Sequence, residues 1–172
     1  FWNDPGGERY RAAYFSTFDN IWRHGDWAEL TPTGGVAVYG RSDSVINVRG
    51  MRIGTAEIYR QLSSFPEIQE SVVVAQDWEG DGRIVLFVQL RHGETLDREL
   101  AERIRGKLRS NTSPHHVPGK ILQVRDIPRT ATGKVSEAAV RDAVNGHEVR
   151  NRDAIVNPSS LELYRNNREL QA

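Results

Sequence analysis

The sequence predicts an α+β domain, a hairpin plus a three-stranded sheet flanked by helices, preceded by a stretch that belongs to something larger. Three observations predict it. Val45–Gly54 places strand formers on either side of a Gly-bearing bend. The runs 71–76, 83–90 and 120–124 are rich in β-branched residues and are bounded by turn signals. The segments between and after them carry apolar residues at helical spacing.

In chain order, residues 1–39 are crowded with aromatics, among them Phe1, Trp2, Tyr10, Tyr14, Trp22 and Trp27. Arg9–Phe15 suits a short helix, and Trp27–Leu30 and Val36–Tyr39 suit two strands about the turn Pro32–Gly35. So many large apolar groups on so little framework need an external surface to bury against, so this stretch is expected to be the tail of a larger domain. The polar joint Arg41–Ser44 leads into the hairpin, which reads either as an ordinary loop and hairpin or as a hinge between two bodies. Thr55 then caps a helix with Ile58, Leu62 and Phe65 on one stripe, ended by Pro66. Strands Ser71–Gln76 and Arg83–Leu90 flank the turn-rich segment Asp77–Gly82. Thr95 opens a helix bearing Leu96, Leu100, Ile104 and Leu108. Asn111–Pro114 is a loop, Lys120–Val124 a third strand, and Ser136 caps a last helix that Gly146 stops. From His147 onward Asn, Arg and Asp dominate. That tail is expected to be irregular or docked on a missing neighbour.

The chain has 172 residues with 23 basic and 23 acidic side chains, so charge gives no reason to propose nucleic acid or a membrane surface as partner. It has no cysteine, which excludes disulfides and thiolate catalysis. The five histidines show no metal-ligand spacing, and no metal is expected to bind. No apolar run approaches ~20 residues and no signal peptide is evident, so a soluble, cytoplasmic protein is expected. The chain opens at Phe1 and its sole methionine is Met51, so it is expected to be part of something longer.

Four groups of residues invite chemistry. Asp26 beside Gly25 can accept two hydrogen bonds at once, as a vicinal diol requires, although Gly-Asp also simply makes turns. Arg41, Asp43 and Arg52 gather charge around the joint, where solvated surface charges are worth little by themselves. Arg49 and Gly50 stand at the hairpin bend, and glycine lets a backbone approach a ligand closely. Lys134 is one of only three lysines, with Lys107 and Lys120, among 23 basic residues. It follows Thr132-Gly133 on a loop opened by Pro128, where a mobile point charge can reach a site. The loop is not a Walker A motif.

His24-Gly25-Asp26, Gly40–Gly54 and Pro128–Lys134, in that order, resemble the adenylate-forming enzymes: acyl-CoA synthetases, firefly luciferase and the adenylation domains of peptide synthetases. The resemblance implies the small C-terminal domain of acyl-CoA synthetases at 44–147. Before it, at 1–43, would come the tail of the large N-terminal AMP-binding domain with a hinge at Asp43, and after it a tail at 148–172. It implies that Asp26 and Arg41 hold the ribose of ATP, with His24 where Thr is commoner, and that Arg52 meets the nucleotide phosphate. Arg49 and Gly50 would bring backbone against the pantetheine of CoA. Lys134 would bridge the carboxylate and α-phosphate as the acyl-adenylate forms. ATP and CoA are implied as cofactors, with Mg2+ in the full-length enzyme but no ligand for it here. The implied partners are the missing N-terminal domain and small-molecule substrates. Phe1–Phe15, Arg23–Trp27 and Val144–Asp153 look like the acetoacetate-activating members. The alternatives are a lid for an acetate or propionate ligase, or a non-catalytic interaction module. The phosphate loop and acyl pocket are absent, so the isolated chain is expected to be inactive.

Overall fold

The aromatic groups crowded into the first forty residues find little to bury against. The computed structural model describes residues 1–41, 45–48, 50–149, 152–165 and 167–171, with backbone alone at 27, 29, 37 and 39–41. The chain divides into two units, Phe1–Asp43 and Ser44–Ala172. In the first, α1 (Glu8–Tyr14) has no buried residue; the Asp4 carboxylate accepts from the amides of Arg9 and Tyr10 at its start. Strands β1 (Asp26–Leu30) and β2 (Val36–Arg41) pair antiparallel with an irregularity at Trp27–Ala28. Tyr14 packs against Tyr10 and Trp22 with ring centroids 5.4 and 5.3 Å apart. Trp2 nevertheless remains 96% exposed and Leu30 78% exposed.

The second unit opens with the hairpin β3 (Val45–Val48) and β4 (Met51–Gly54). Val48 lies opposite Met51, and at the bend between the strands Gly50 has φ +72°. Helix α2 (Thr55–Leu62) begins one residue earlier than capping by Thr55 requires: Gly54 holds the cap position and Thr55 is buried in the first turn. Strands β5 (Ile68–Trp78) and β6 (Asp81–Leu90) run further than their β-branched cores. Only Glu79 and Gly80 separate them, both with positive φ, the two-residue turn whose twist matches antiparallel strands. Helix α3 (Arg98–Asn111) is capped by Asp97, not Thr95; the Asp97 carboxylate accepts from the Leu100 amide at 2.8 Å. A 3-10 turn, Pro114–His116, precedes β7 (Lys120–Gln123), which pairs parallel to β6. Helix α4 (Glu137–Val144) follows, and Asn145 at its end bonds the backbone of Ala75 and Asp77 in β5.

The sheet order is β5-β6-β7, and both faces are covered. Val73, Ile84, Leu86, Val88 and Ile121 face one core layer, shared with α2, α3 and the hairpin residues Ile46 and Ile53. Val72, Val74, Val85, Phe87 and Leu122 face the other, shared with α4. Strict alternation of the two sets explains why these strands are apolar at almost every position.

The tail is irregular, as one of the two sequence-based expectations had it, but it does not depend on a missing neighbour. An eight-residue α4 is too short to cover strands of ten and eleven residues. Val149, Ile155, Leu161, Tyr164 and Leu170 complete that second layer, carried largely on 3-10 turns at Arg152–Ala154, Pro158–Leu163 and Arg168–Leu170. The Tyr164 ring meets Phe87 edge-on at 4.8 Å. The tail therefore docks on its own unit, not on a missing neighbour.

Candidate functional site

Lys134 sits on a turn whose shape is set by its own backbone. Arg129 and Val135 form an isolated antiparallel bridge. Inside it the Thr130 amide donates to the Lys134 carbonyl at 2.9 Å and the Gly133 amide to the Thr130 carbonyl at 2.8 Å. The Thr130 hydroxyl adds bonds to Thr132 Oγ1 and the Lys134 amide, at 3.0 and 3.3 Å. Gly133 has φ +79°, which explains the glycine. Residues 131–134 are exposed. The backbone is thus pinned while the Lys134 side chain is exposed to solvent.

The base of this turn is held from two sides. The Arg129 guanidinium pairs with Glu70 at the start of β5 and donates to the Gly133 carbonyl at 2.9 Å. From the tail, Asn157 Oδ1 accepts from the Arg129 amide at 2.9 Å, while Asn157 Nδ2 donates to Asp126 Oδ2 and the Ile127 carbonyl at 2.8 and 2.9 Å. The Tyr164 hydroxyl donates to the Asp126 carbonyl at 2.9 Å, and burial pushes its pKa up. Sequence reasoning missed Glu70 and Asn157. Asn157-Pro158 reads as a turn opener, and nothing local shows that it belongs to a loop almost thirty residues earlier.

The hairpin lies elsewhere on the unit. Gly50 and Arg52 are exposed, and Arg52 stands opposite Asn47 across β3 and β4. The hairpin rests on the β5–β6 turn: a Cβ built on Gly82 would come 3.3 Å from the Asn47 carbonyl. Beside it, Val48, Ile53, Arg83, Pro114 and His115 line a cleft of about 120 Å³. Gly82 is paired with Asp77, whereas the Lys134 turn is tied to Glu70, seven residues back along β5. At ~3.3 Å per residue that puts the two anchor points about 20 Å apart. Lys134 and the Gly50–Arg52 hairpin therefore occupy opposite ends of one sheet.

In the first unit, the structure places Asp26 and Arg41 directly opposite one another in the β1–β2 register, with Cα atoms about 5 Å apart. The Asp26 carboxylate also pairs with His24 Nδ1, and the His24 ring packs edge-on against Trp22 at 5.1 Å. Asp43 and Arg49 lie outside the described residues. Among the described residues there is no group of three or more His, Asp or Glu able to hold a metal ion, and no helix long and apolar enough to cross a membrane.

Residues 57–134 match the AMP-binding enzyme C-terminal domain. The whole chain is 52% identical, over 172 residues, to the acetoacetyl-coenzyme A synthetase of Rhizobium meliloti, and covers 26% of that protein. It is 44% identical to the acetoacetyl-CoA synthetase of Mus musculus, with 99% of this chain and 26% of that one aligned. Among solved structures it is similar to the acetoacetyl-CoA synthetase from Streptomyces lividans, with a TM-score of 0.81 and 40% identity over 100% of this chain and 26% of that one. The chain thus spans about a quarter of the length of the curated relatives it matches, and corresponds to their C-terminal part.

Proposed function

We propose that the chain supplies the C-terminal part of a cytoplasmic acetoacetate–CoA ligase, a reading supported by the match of residues 57–134 to the AMP-binding enzyme C-terminal domain. The observation that carries this reading is the 52% identity to an acetoacetyl-CoA synthetase along every residue of the chain, the short first unit included. The reaction runs in two steps. Acetoacetate attacks the α-phosphate of ATP, giving acetoacetyl-AMP and pyrophosphate; the CoA thiol then displaces AMP to give acetoacetyl-CoA.

Each residue group has a place in that sequence. Asp26 and Arg41, facing each other across two strands, suit the two ribose hydroxyls, one by accepting and the other by donating hydrogen bonds. The ammonium of Lys134 bridges the attacking carboxylate and the α-phosphate and offsets negative charge that grows on the α-phosphate oxygens as adenylation proceeds. The bend at Arg49 and Gly50 serves the second step by lying against pantetheine, and Arg52 meets the nucleotide phosphate. Lys134 and the bend sit at opposite ends of β5, so the second unit must turn between the steps. The two units divide beside Asp43, and there we place the hinge. The phosphate loop, the acyl pocket and any Mg2+ ligand belong to the remaining polypeptide, and the isolated chain is inactive.

The test is single-turnover kinetics on the full-length enzyme. Lys134→Ala slows adenylation about 10²–10³-fold, the usual loss for one preorganised electrostatic donor. Thioester formation from supplied acetoacetyl-AMP stays close to wild type. Equal losses in both steps would make Lys134 a structural residue and overturn the assignment. A higher kcat/KM for acetate or propionate than for acetoacetate would overturn the choice of acid.

A further inference from the structure

The base of the exposed turn that carries Lys134 is tied through Arg129 to Glu70 on the sheet and to Asn157 and Val156 on the C-terminal tail. We propose that Asn157 is a positioning residue for Lys134, holding the base of the turn so that the ammonium sits where adenylation needs it; this rests on the reading of Lys134 given above.

The contacts are specific to an amide side chain. Asn157 makes three bonds to three residues leading into the turn: its oxygen accepts from the Arg129 amide, and its nitrogen donates to the Asp126 carboxylate and the Ile127 carbonyl. Only a primary amide supplies one acceptor and two donors from a single short side chain. An aspartate would keep the acceptor, lose both donors and face Asp126 with like charge.

Asn157 is itself fixed. Its carbonyl accepts from the buried Ser160 hydroxyl at 2.6 Å, and the preceding Val156 amide donates to the Arg129 carbonyl at 2.9 Å. Buried Ile155 bridges to Thr130, and buried Leu161 and Tyr164 seat the following segment in the second core layer. The tail thus transmits the position of the sheet to residues 126–130, five residues or fewer from the turn's lysine at their near end. Without Asn157 the Arg129 amide loses its acceptor and Asp126 and Ile127 lose their donor, while the Arg129–Glu70 pair, the Thr130–Ile155 bridge with its Val156 bond, and the Ser136 amide on the Pro128 carbonyl remain, so the turn is loosened at its base but not released. A charge meant for a developing transition state loses much of its effect when displaced by ~1 Å.

The experiment compares Asn157→Ala, Lys134→Ala and the double variant in the full-length enzyme, measuring each half-reaction in single-turnover mode. Asn157→Ala is expected to slow adenylation roughly 10- to 100-fold and to leave thioester formation from acetoacetyl-AMP within about 2-fold of wild type. The double variant is expected to be no slower than Lys134→Ala alone, because a positioning residue has nothing left to position. In the 172-residue chain, Asn157→Ala should also speed amide exchange at Arg129, a readout independent of catalysis. Normal adenylation in Asn157→Ala beside a slow Lys134→Ala overturns this inference alone. Equal slowing of both half-reactions, or additive losses in the double variant, makes Asn157 merely structural and also overturns it. Normal adenylation in Lys134→Ala overturns the reading beneath it and this inference together.

Discussion

Leu161→Ala tests whether the tail is part of the core. Leu161 is 1% exposed and packs in the layer that includes Phe87, Val140 and Tyr164. Truncating a buried leucine removes its transfer free energy and leaves a cavity, together about 2–4 kcal/mol at a site formed by short 3-10 turns able to relax in part. The readout is amide exchange at Val85 and Phe87, on the middle strand of the sheet, which opens only when the unit as a whole opens. At ~1.4 kcal/mol per tenfold, their exchange should accelerate roughly 30- to 1,000-fold in Leu161→Ala. A tail merely lying on the surface would give a different result. Exchange on β6 would change by less than ~3-fold, with faster exchange confined to residues 149–171, and the tail's assignment to the core would then be wrong.

Three more outcomes follow from the same geometry. Tyr164→Phe removes the bond to the Asp126 carbonyl and should cost about 1 kcal/mol near neutral pH. Burial, with Asp126 and Glu70 nearby, holds the Tyr164 proton above the ordinary tyrosine range, so the native state keeps that proton to higher pH than the unfolded chain does. Stability from this group is complete below about pH 10 and is lost as pH rises beyond it; urea denaturation should show the gap between wild type and Tyr164→Phe narrowing above pH 10, and a widening gap contradicts the assignment. Asp43→Pro in the full-length enzyme should keep adenylation and lose thioester formation, since proline fixes φ near −65° at the proposed hinge; near wild-type rates in both steps would move the hinge elsewhere. Exposed Trp2, Phe18, Ile21 and Trp22 should make the isolated chain self-associate, and a monodisperse monomer in sedimentation would show that these groups find cover.

What was legible in the sequence followed local rules. The hairpin at 45–54, the stripes of α2, α3 and α4 and the runs of β5 and β6 all announce themselves by period and by turn residues, and Gly133 before Lys134 marks its turn. Helix starts were off where Asp97 and Gly54 outcompeted the neighbouring threonines for the cap. The parallel pairing of β7 with β6 depends on a crossover through α3 that no single segment encodes. The irregular form of the tail is legible but its docking on the sheet is not, because Val149, Ile155, Leu161, Tyr164 and Leu170 follow neither a helical nor a strand period, and a polar composition hides them. For the same reason Asn157 could not be joined to Lys134. The pairing of Asp26 with Arg41, by contrast, follows from two strands and a turn that the sequence does show.

The central claim is that one small unit presents two working ends in turn, Lys134 for adenylation and the Gly50 bend for thioester formation. A Cβ built on Gly50 meets no atom of this chain within 4 Å, but Gly50 has φ +72°, so Gly50→Leu both adds bulk toward whatever approaches from outside and strains the bend's own backbone. The decisive measurement is Gly50→Leu and Lys134→Ala side by side in the full-length enzyme, each half-reaction followed separately at single turnover. The account predicts opposite defects: Lys134→Ala slow in adenylation only, Gly50→Leu slow in thioester formation only. Both variants failing in the same half-reaction would contradict it.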